Sequence, residues 1–477
     1  MIADTSTPLS TGLKPYSEYK DSGLPWLGQV PEHWATQRLR HACEMRVSNV
    51  DKHTKQGETP VSLCNYVEVY KNERICESTR FMAASASEDE RIRFGLRKGD
   101  VVITKDSEQW NDIGVPSLVE FEALDLVCGY HLAILRSRPG LHGSFLHRAL
   151  ECNLIAAQFH VEANGVTRYG LSQGAIKGVA IPVPPLDEQA AIVRFLDHAT
   201  HRLDKTIQAK RKTIALLNEQ KQAIIHRAVT RGLDPNVPLK DSGIPWVGQI
   251  PAHWDVRRAK YLFREVDSRS ISGEETHLSM SQKLGLVPSS MVKHRTLISA
   301  SYAGGKLCDV DDLVLNRLKA HLGVFARARD SGVISPDYTV LRKIRPMAVE
   351  YFEHVLRSPS CRGELKIRAK GLVEGFWRLY TDDFYDIRLP VPPYEEQASI
   401  VNGLHGATNE ITTTMQRIER EIELLREYRT RLIADVVTGK LDVREAAASL
   451  PEEEAPAVEP ELAEMEETGD ELVEENI

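Results

Sequence analysis

The feature that most restricts what this chain can fold into is an internal duplication. Residues 19–34 read YKDSGLPWLGQVPEHW and residues 239–254 read LKDSGIPWVGQIPAHW; eleven of sixteen positions are identical and three more exchange aliphatic residues, at an offset of 220. Residues 181–193, IPVPPLDEQAAIV, match residues 389–401, LPVPPYEEQASIV, at nine of thirteen positions and an offset of 208, and the match runs on without a gap through Thr230 and Thr438. Each half is thus an opening motif, a long variable region and a shared closing segment. At 477 residues the chain exceeds what one hydrophobic core usually organises, so two related domains are expected.

The closing segments are predicted helices. In the first, Ile192, Leu196, Ala199, Leu203, Ile207, Ile214, Leu217, Ile224 and Ala228 recur at steps of three, four or their sum, with Lys210 and Lys221 filling the gaps in register. In the second, Ile400, Leu404, Ala407, Ile411, Met415, Ile418, Ile422, Leu425, Leu432 and Val436 repeat that stripe at an offset of 208. A stripe sustained over about six heptads is the pattern of paired long helices. Pro182, Pro184 and Pro185, like Pro390, Pro392 and Pro393, forbid helix before the start, and Asp187-Glu188 or Glu395-Glu396 places negative charge on the first turn. Gly232 and Gly439 fall where left-handed caps end helices. Roughly forty-five residues at ~1.5 Å each make a rod of about 65 Å.

The variable regions keep only a skeletal likeness. Asp100-Val101-Val102-Ile103-Thr104-Lys105 parallels Asp312-Leu313-Val314-Leu315-Asn316-Arg317, and YHLAILR at Tyr130 to Arg136 parallels SPDYTVLR ending at Arg342. These apolar or alternating runs have strand length, so both regions read as mixed, β-rich domains. Duplicated units that diverge in one region and not another differ in what that region recognises.

Charge looks unfavourable for nucleic acid until it is divided. The chain carries -8, but residues 443–477 hold thirteen acidic residues against Arg444, a balance of -12, which leaves +4 on residues 1–442. The tail's Glu/Pro/Ala composition without aromatics predicts disorder. Hydrophobic residues at 42% and charged at 27% fit a soluble globular chain. No signal-like start and no apolar run of about 18 residues is present, so a cytoplasmic protein with no membrane partner is expected. The seven cysteines are scattered without a CxxC pair and read as free, mostly buried thiols.

The W-x-G-x-x-P-x-H-W openings (Trp26 to Trp34, Trp246 to Trp254), the segments starting at Asp100 and Asp312, the SPDY at Ser335 and the PxPPxxEQ closings, in order and all but the SPDY twice over, resemble the specificity subunit of type I restriction-modification systems. The resemblance spans residues 15–442. It implies an α/β (α+β) chain in which two pseudo-twofold-related target-recognition domains are separated by two long antiparallel coiled-coil helices. It implies double-stranded DNA as ligand, two methyltransferase subunits on the helices, and restriction/translocase subunits joining them. Partner subunits would use S-adenosylmethionine, ATP and Mg, with no cofactor or metal bound by this chain. The expected divisions are an N-terminal extension 1–18, a first recognition domain 19–186, a first spacer helix 187–234, a second recognition domain 235–394, a second helix 395–442 and the tail 443–477. The acidic tail is no feature of that family; it reads as a solubilising appendage.

Enzyme signatures in the chain are incomplete. Val391-Pro392-Pro393-Tyr394 resembles the (Asp/Asn)-Pro-Pro-(Tyr/Phe) loop of amino-methyltransferases, but valine replaces the residue that accepts from the target amine. Asp337 with Glu364-Leu365-Lys366 matches a metal-nuclease pattern only as charged sequence does by chance, and Gly305-Lys306 and Gly439-Lys440 lack the rest of a phosphate loop. A non-catalytic chain is therefore expected.

DNA-contact candidates lie where the halves correspond but differ. After the Asp100 strand come Lys105, Gln109, Trp110 and Asn111; after the Asp312 strand come Asn316, Arg317, Lys319 and His321. Before each Pro-rich closing lie Asn164, Thr167, Arg168 and Tyr169, and Lys370, Glu374, Arg378 and Tyr380. Arg and Lys pair with guanine edges, Asn and Gln with adenine. Trp26, Trp34, Trp246 and Trp254 read as core packing, and Lys205, Lys210, Arg211 and Lys212 as a solvated helix face. The rival to DNA reading is an interaction scaffold whose globular domains bind proteins.

Overall fold

The computed structural model describes residues 13–281, 284–292, 301–371 and 377–451. They form two compact units, one within Met1–Lys210 and Arg420–Pro456, the other within Arg211–Glu419. No helix of the described residues is long and apolar enough to cross a membrane.

The first unit holds strands β1 (Ala35–Arg38), β2 (Cys43–Val47), β3 (Arg74–Ile75), β4 (Val101–Thr104), β5 (Asp106–Ser107), β6 (Pro116–Val119) and β7 (Leu132–Ser137). Helix α1 (Gly143–Glu151), strands β8 (Asn164–Gly165), β9 (Tyr169–Gly170) and β10 (Ala180–Val183), and the start of α2 (Leu186–Arg231) follow. The second unit holds the end of α2, strands β11 (Asp255–Arg258), β12 (Phe263–Val266), β13 (Leu313–Asn316), β14 (Phe325–Arg327) and β15 (Tyr338–Lys343), helix α3 (Val349–Arg357), strand β16 (Arg388–Val391) and the start of α4 (Tyr394–Val437). The end of α4 and α5 (Arg444–Ser449) return to the first unit.

The central sheets repeat one order: β2-β7-β4-β6 with β3 at the edge in the first unit, and β12-β15-β13-β14 in the second. Their middle strands carry consecutive apolar residues, Val101 to Ile103, Leu132 to Leu135, Leu313 to Leu315 and Val340-Leu341, because both faces are covered. Val101 and Ile103 point to the core that contains Trp34 and α2, while Val102 points to a second cluster with Ile134. Leu313 and Leu315 divide from Val314 in the same way.

The duplicated motifs meet in space and frame each variable region. β1 pairs antiparallel with β10, Thr36 opposite Pro182, and β11 with β16, Val256 opposite Pro390. Trp34 and Trp254 are fully buried, with Trp26 and Trp246 packed against the same cores. The buried Glu188 carboxylate accepts from Trp34 Nε1 at 3.0 Å and His33 Nε2 at 2.8 Å; His253 reaches Glu396 at 2.7 Å. Gln189 and Gln397 are buried as well, each donating to the carbonyl of the proline five residues earlier and accepting the backbone N–H of His142 (2.8 Å) or Ala348 (2.9 Å). The PxPPxxEQ closings are therefore anchored into the core.

α2 and α4 are single helices of 46 and 44 residues, and they run antiparallel. Asp204 faces Arg429 and Lys210 faces Glu421 in the first unit; Lys221 donates to Thr412 at 2.9 Å in the second. Gly232 and Gly439 take φ of 73° and 77° just past the helix ends, and a Cβ on Gly439 would sit 2.3 Å from Pro31 Cδ.

Two boundaries differ from expectation. Tyr16, assigned to an N-terminal extension, is buried and donates to Glu188. The head of the acidic tail is ordered: Val443 and Ala447 are buried, Asp442 N–H donates to Lys14 O at 2.8 Å, and Arg194 donates to Leu450 O at 2.7 Å. Its apolar positions and its contacts with α2 override its composition; residues 452–477, where most of its acidic charge lies, fall outside the described residues. All seven cysteines are free and six are buried.

His147 on α1 is fully buried, neither ring nitrogen hydrogen-bonded among the described residues, and burial pushes its pKa down to about 3. The unfolded chain protonates near the ordinary value of about 6.5, so it takes up a proton that the native state refuses. Stability is then complete above about pH 6.5 and falls by up to ~1.4 kcal/mol per pH unit as pH drops towards 3. His147→Leu should remove about 2 kcal/mol of the acid loss between pH 6.5 and 5, measured by denaturant midpoints; parallel pH profiles for the two proteins would show that His147 is solvated instead.

Candidate nucleic-acid interface

In the first unit the two predicted loops form one small sheet. β9 pairs with β5, Tyr169 opposite Ser107, and with β8, Asn164 opposite Gly170. Lys105 O accepts from Leu171 N at 2.8 Å, tying the end of β4 to the second loop. Gln109, Trp110, Asn111, Asn164, Thr167 and Arg168 are exposed; Lys105 and Tyr169 are half-buried. Trp110 stands edge-on to His160, ring centroids 6.3 Å apart.

A charged cluster missed from the sequence lies beneath. Asp106 accepts from Lys105 Nζ and pairs with His131 Nδ1, both at 2.8 Å, and Arg168 Nη2 lies 3.4 Å from His131 Nε2. Burial raises the Asp106 pKa, but the bonds from Lys105 and His131 outweigh it and hold the carboxyl below its ordinary range. Tyr70 hydroxyl donates to Asp112 at 2.6 Å, which pushes its pKa up to about 12, and it stacks on Tyr66. His131 could have been found from the strand parallel, since it occupies the place of Asp337 before the matching arginines Arg136 and Arg342.

The second unit brings together the same pair of loops. Arg317 O accepts from Leu379 N at 3.0 Å, as Lys105 O does from Leu171. Arg317 Nε donates to Asp337 O at 2.8 Å, and Arg378 Nη2 lies 3.9 Å from Asp337 Oδ1. Lys370 and Arg378 bridge through both backbone bonds, and Lys370 Nζ reaches Asp383 at 2.7 Å. Lys319 is half-buried and Tyr380 exposed.

Asn316 is a correction. It is 4% exposed, and its Oδ1 accepts from Leu318 N at 3.1 Å and Lys319 N at 3.3 Å. An asparagine closing its own turn has no acceptor left to present to a base. Glu374 and the His321 side chain lie outside the described residues. The two carboxylates of the nuclease pattern have separate cationic partners: Glu364 pairs with Arg368, and the Asp337 carboxylate lies 3.9 Å from Arg378. No His/Cys/Asp/Glu group of metal-ligand geometry lies in these loops among the described residues.

The two units repeat one frame, each with its own divergent polar loop pair, which defines a duplicated fold. A family model described as the Type I restriction modification DNA specificity domain matches residues 87–219. The chain is 21% identical over 433 residues to a protein of Methanocaldococcus jannaschii named as the type I restriction enzyme MjaX specificity subunit, covering 88% of this chain and 96% of that one. It is 22% identical over 299 residues to that organism's type I restriction enzyme MjaVIII specificity subunit, covering 56% of this chain and 63% of that one. A solved chain, described under the structural basis of complex assembly and conformational transition of the type I R-M system, shares the fold at a TM-score of 0.62 and 16% identity, covering 86% of this chain and 99% of that one. The chain is thus similar, along most of its length, to specificity subunits of type I restriction-modification systems.

Proposed function

We propose that this chain reads an asymmetric, bipartite DNA sequence, one half-site through each loop pair, and directs adenine methylation or cleavage carried out by partner subunits. The observation that carries the reading is the repeated placement: the 105/317 and 168/378 loops converge on the 131/337 position in both units, on one frame but with different side chains. Different side chains on the same frame read different bases. The paired helices set the unread spacer and carry two methyltransferase subunits; restriction subunits join that complex, and S-adenosylmethionine, ATP and Mg act in the partners. The setting is the cytoplasm. The target adenine flips into a partner, so this chain needs no catalytic group.

Arg168 and Arg378 are the leading contacts, together with Lys105, Gln109, Asn111, Tyr169, Arg317, Lys319 and Lys370. Binding of the assembled methyltransferase to its own site should weaken steeply with salt, and Arg378→Ala should act in one of two ways. Loss of a base contact costs about 1–3 kcal/mol at one half-site and relaxes its sequence; loss of a phosphate contact lowers the salt slope by about 1. Binding that ignores both salt and this substitution would instead favour the protein scaffold.

A further inference from the structure

Glu350 and His354 on α3 and His405 on α4 lie together in the second unit, away from the loops described above. One ligand atom from each falls within 4.8 Å of the others, with Glu350 and His354 half-buried and His405 exposed. Glu350 Oε1 is 2.9 Å from His405 Nε2, and Arg327 Nη2 lies 3.2 Å from the other carboxylate oxygen. His354 Nε2 is buried without a hydrogen-bond partner among the described residues.

The duplication shows that the fold does not require this group. His142 and Ala348 occupy one position, since each donates its N–H to the buried glutamine of its unit. Counting along the two helices sets Arg148 against His354 and Ser144 against Glu350, while the closing-segment match sets Asp197 against His405. In the first unit Arg148 Nη2 and Asp197 Oδ1 close the junction as an ion pair at 2.7 Å. Glu151 also pairs with Arg148, and Arg74 with Asp197; at the matching positions the second unit has two imidazoles facing one carboxylate.

We propose that Glu350, His354 and His405 bind a divalent transition metal, Zn2+ in particular, pinning α3 to α4. Two histidines and a glutamate are a common three-residue protein set for zinc, the fourth position being left to water; a Glu and a His four apart share one face of a helix. The exposed side of His405 gives the ion its way in. Arg327 engages the carboxylate oxygen remote from His405, which orients the ligand.

The test is a calorimetric titration of the full chain, stripped with chelator, with zinc alone. One saturable site is expected. His405→Ala, at an exposed position, should weaken it by more than the roughly 10- to 100-fold that loss of a ligand's hydrogen-bonding partner costs, while His53→Ala should leave it unchanged. The exchange His354→Arg with His405→Asp rebuilds the ion pair of the first unit; it should keep the circular dichroism and melting profile of the parent and lose the zinc site. Equal zinc affinity in parent and His405→Ala, or retention of the site in the double exchange, overturns the assignment, as does the absence of a saturable site in the parent.

Discussion

Asp100→Ala should cost the first unit about 3 kcal/mol, the lower end of what breaking a buried ion pair costs. Asp100 is 1% exposed; it accepts from Arg97 N at 2.9 Å and from Arg136 Nε and Nη2 at 2.7 and 2.6 Å. Removing it strands the Arg136 guanidinium, which among the described residues keeps Gly95 O at 3.1 Å, and opens the turn that leads into β4. The same lock recurs in the second unit, where Asp312 accepts from Asp309 N and from Arg342. Because the stranded charge dominates the cost, Asp100→Leu combined with Arg136→Met should be less destabilising than Asp100→Ala alone. Urea midpoints decide: a single variant within 1 kcal/mol of the parent would place the pair among solvent-screened surface bridges.

The largest functional effect is expected from replacing residues 259–387 with the corresponding region of another specificity subunit. The cut points follow from the frame: β11 and β16 pair with each other and close the region at its base, so a foreign insert meets a native strand pair at both ends. In a host carrying the partner methyltransferase, methylome sequencing should show a bipartite adenine motif in which one half-site changes while the other half and the spacer stay. The spacer is the more informative reading, because on the proposed function it follows from the length of α2 and α4, which the exchange leaves intact. A motif that ignores the exchange would remove sequence reading from this chain, and a change in both half-sites would end the one-loop-pair, one-half-site assignment.

How far the residues alone led differs from element to element. The stripe from Ile192 to Ala228 and its repeat at Ile400 to Val436 announced two long helices, and Pro185 and Gly232 marked the ends of the first within a residue or so. Trp34 and Trp254 were assignable to the core because they stand at matching places outside the variable regions. Asn316 was misread because its type suits adenine, whereas only the turn geometry shows that its oxygen is already engaged. The order at Val443 to Ser449 was hidden by a composition that is acidic as a whole, although its few apolar residues find a surface to cover.

What the sequence by itself determined is the organisation: a duplicated unit, two paired helices, apolar middle strands buried on both faces, and loops where the copies diverge. Those are one-dimensional properties, since helical and strand periods and internal repeats are written along the chain. Only the tertiary structure decided which distant residues share a site. Arg168 meets His131, Arg378 meets Asp337, Trp34 meets Glu188, and Glu350 and His354 meet His405. Such pairs are set by the registers in which strands and helices pack, and that packing is a property of the whole core that no local pattern of residue types encodes.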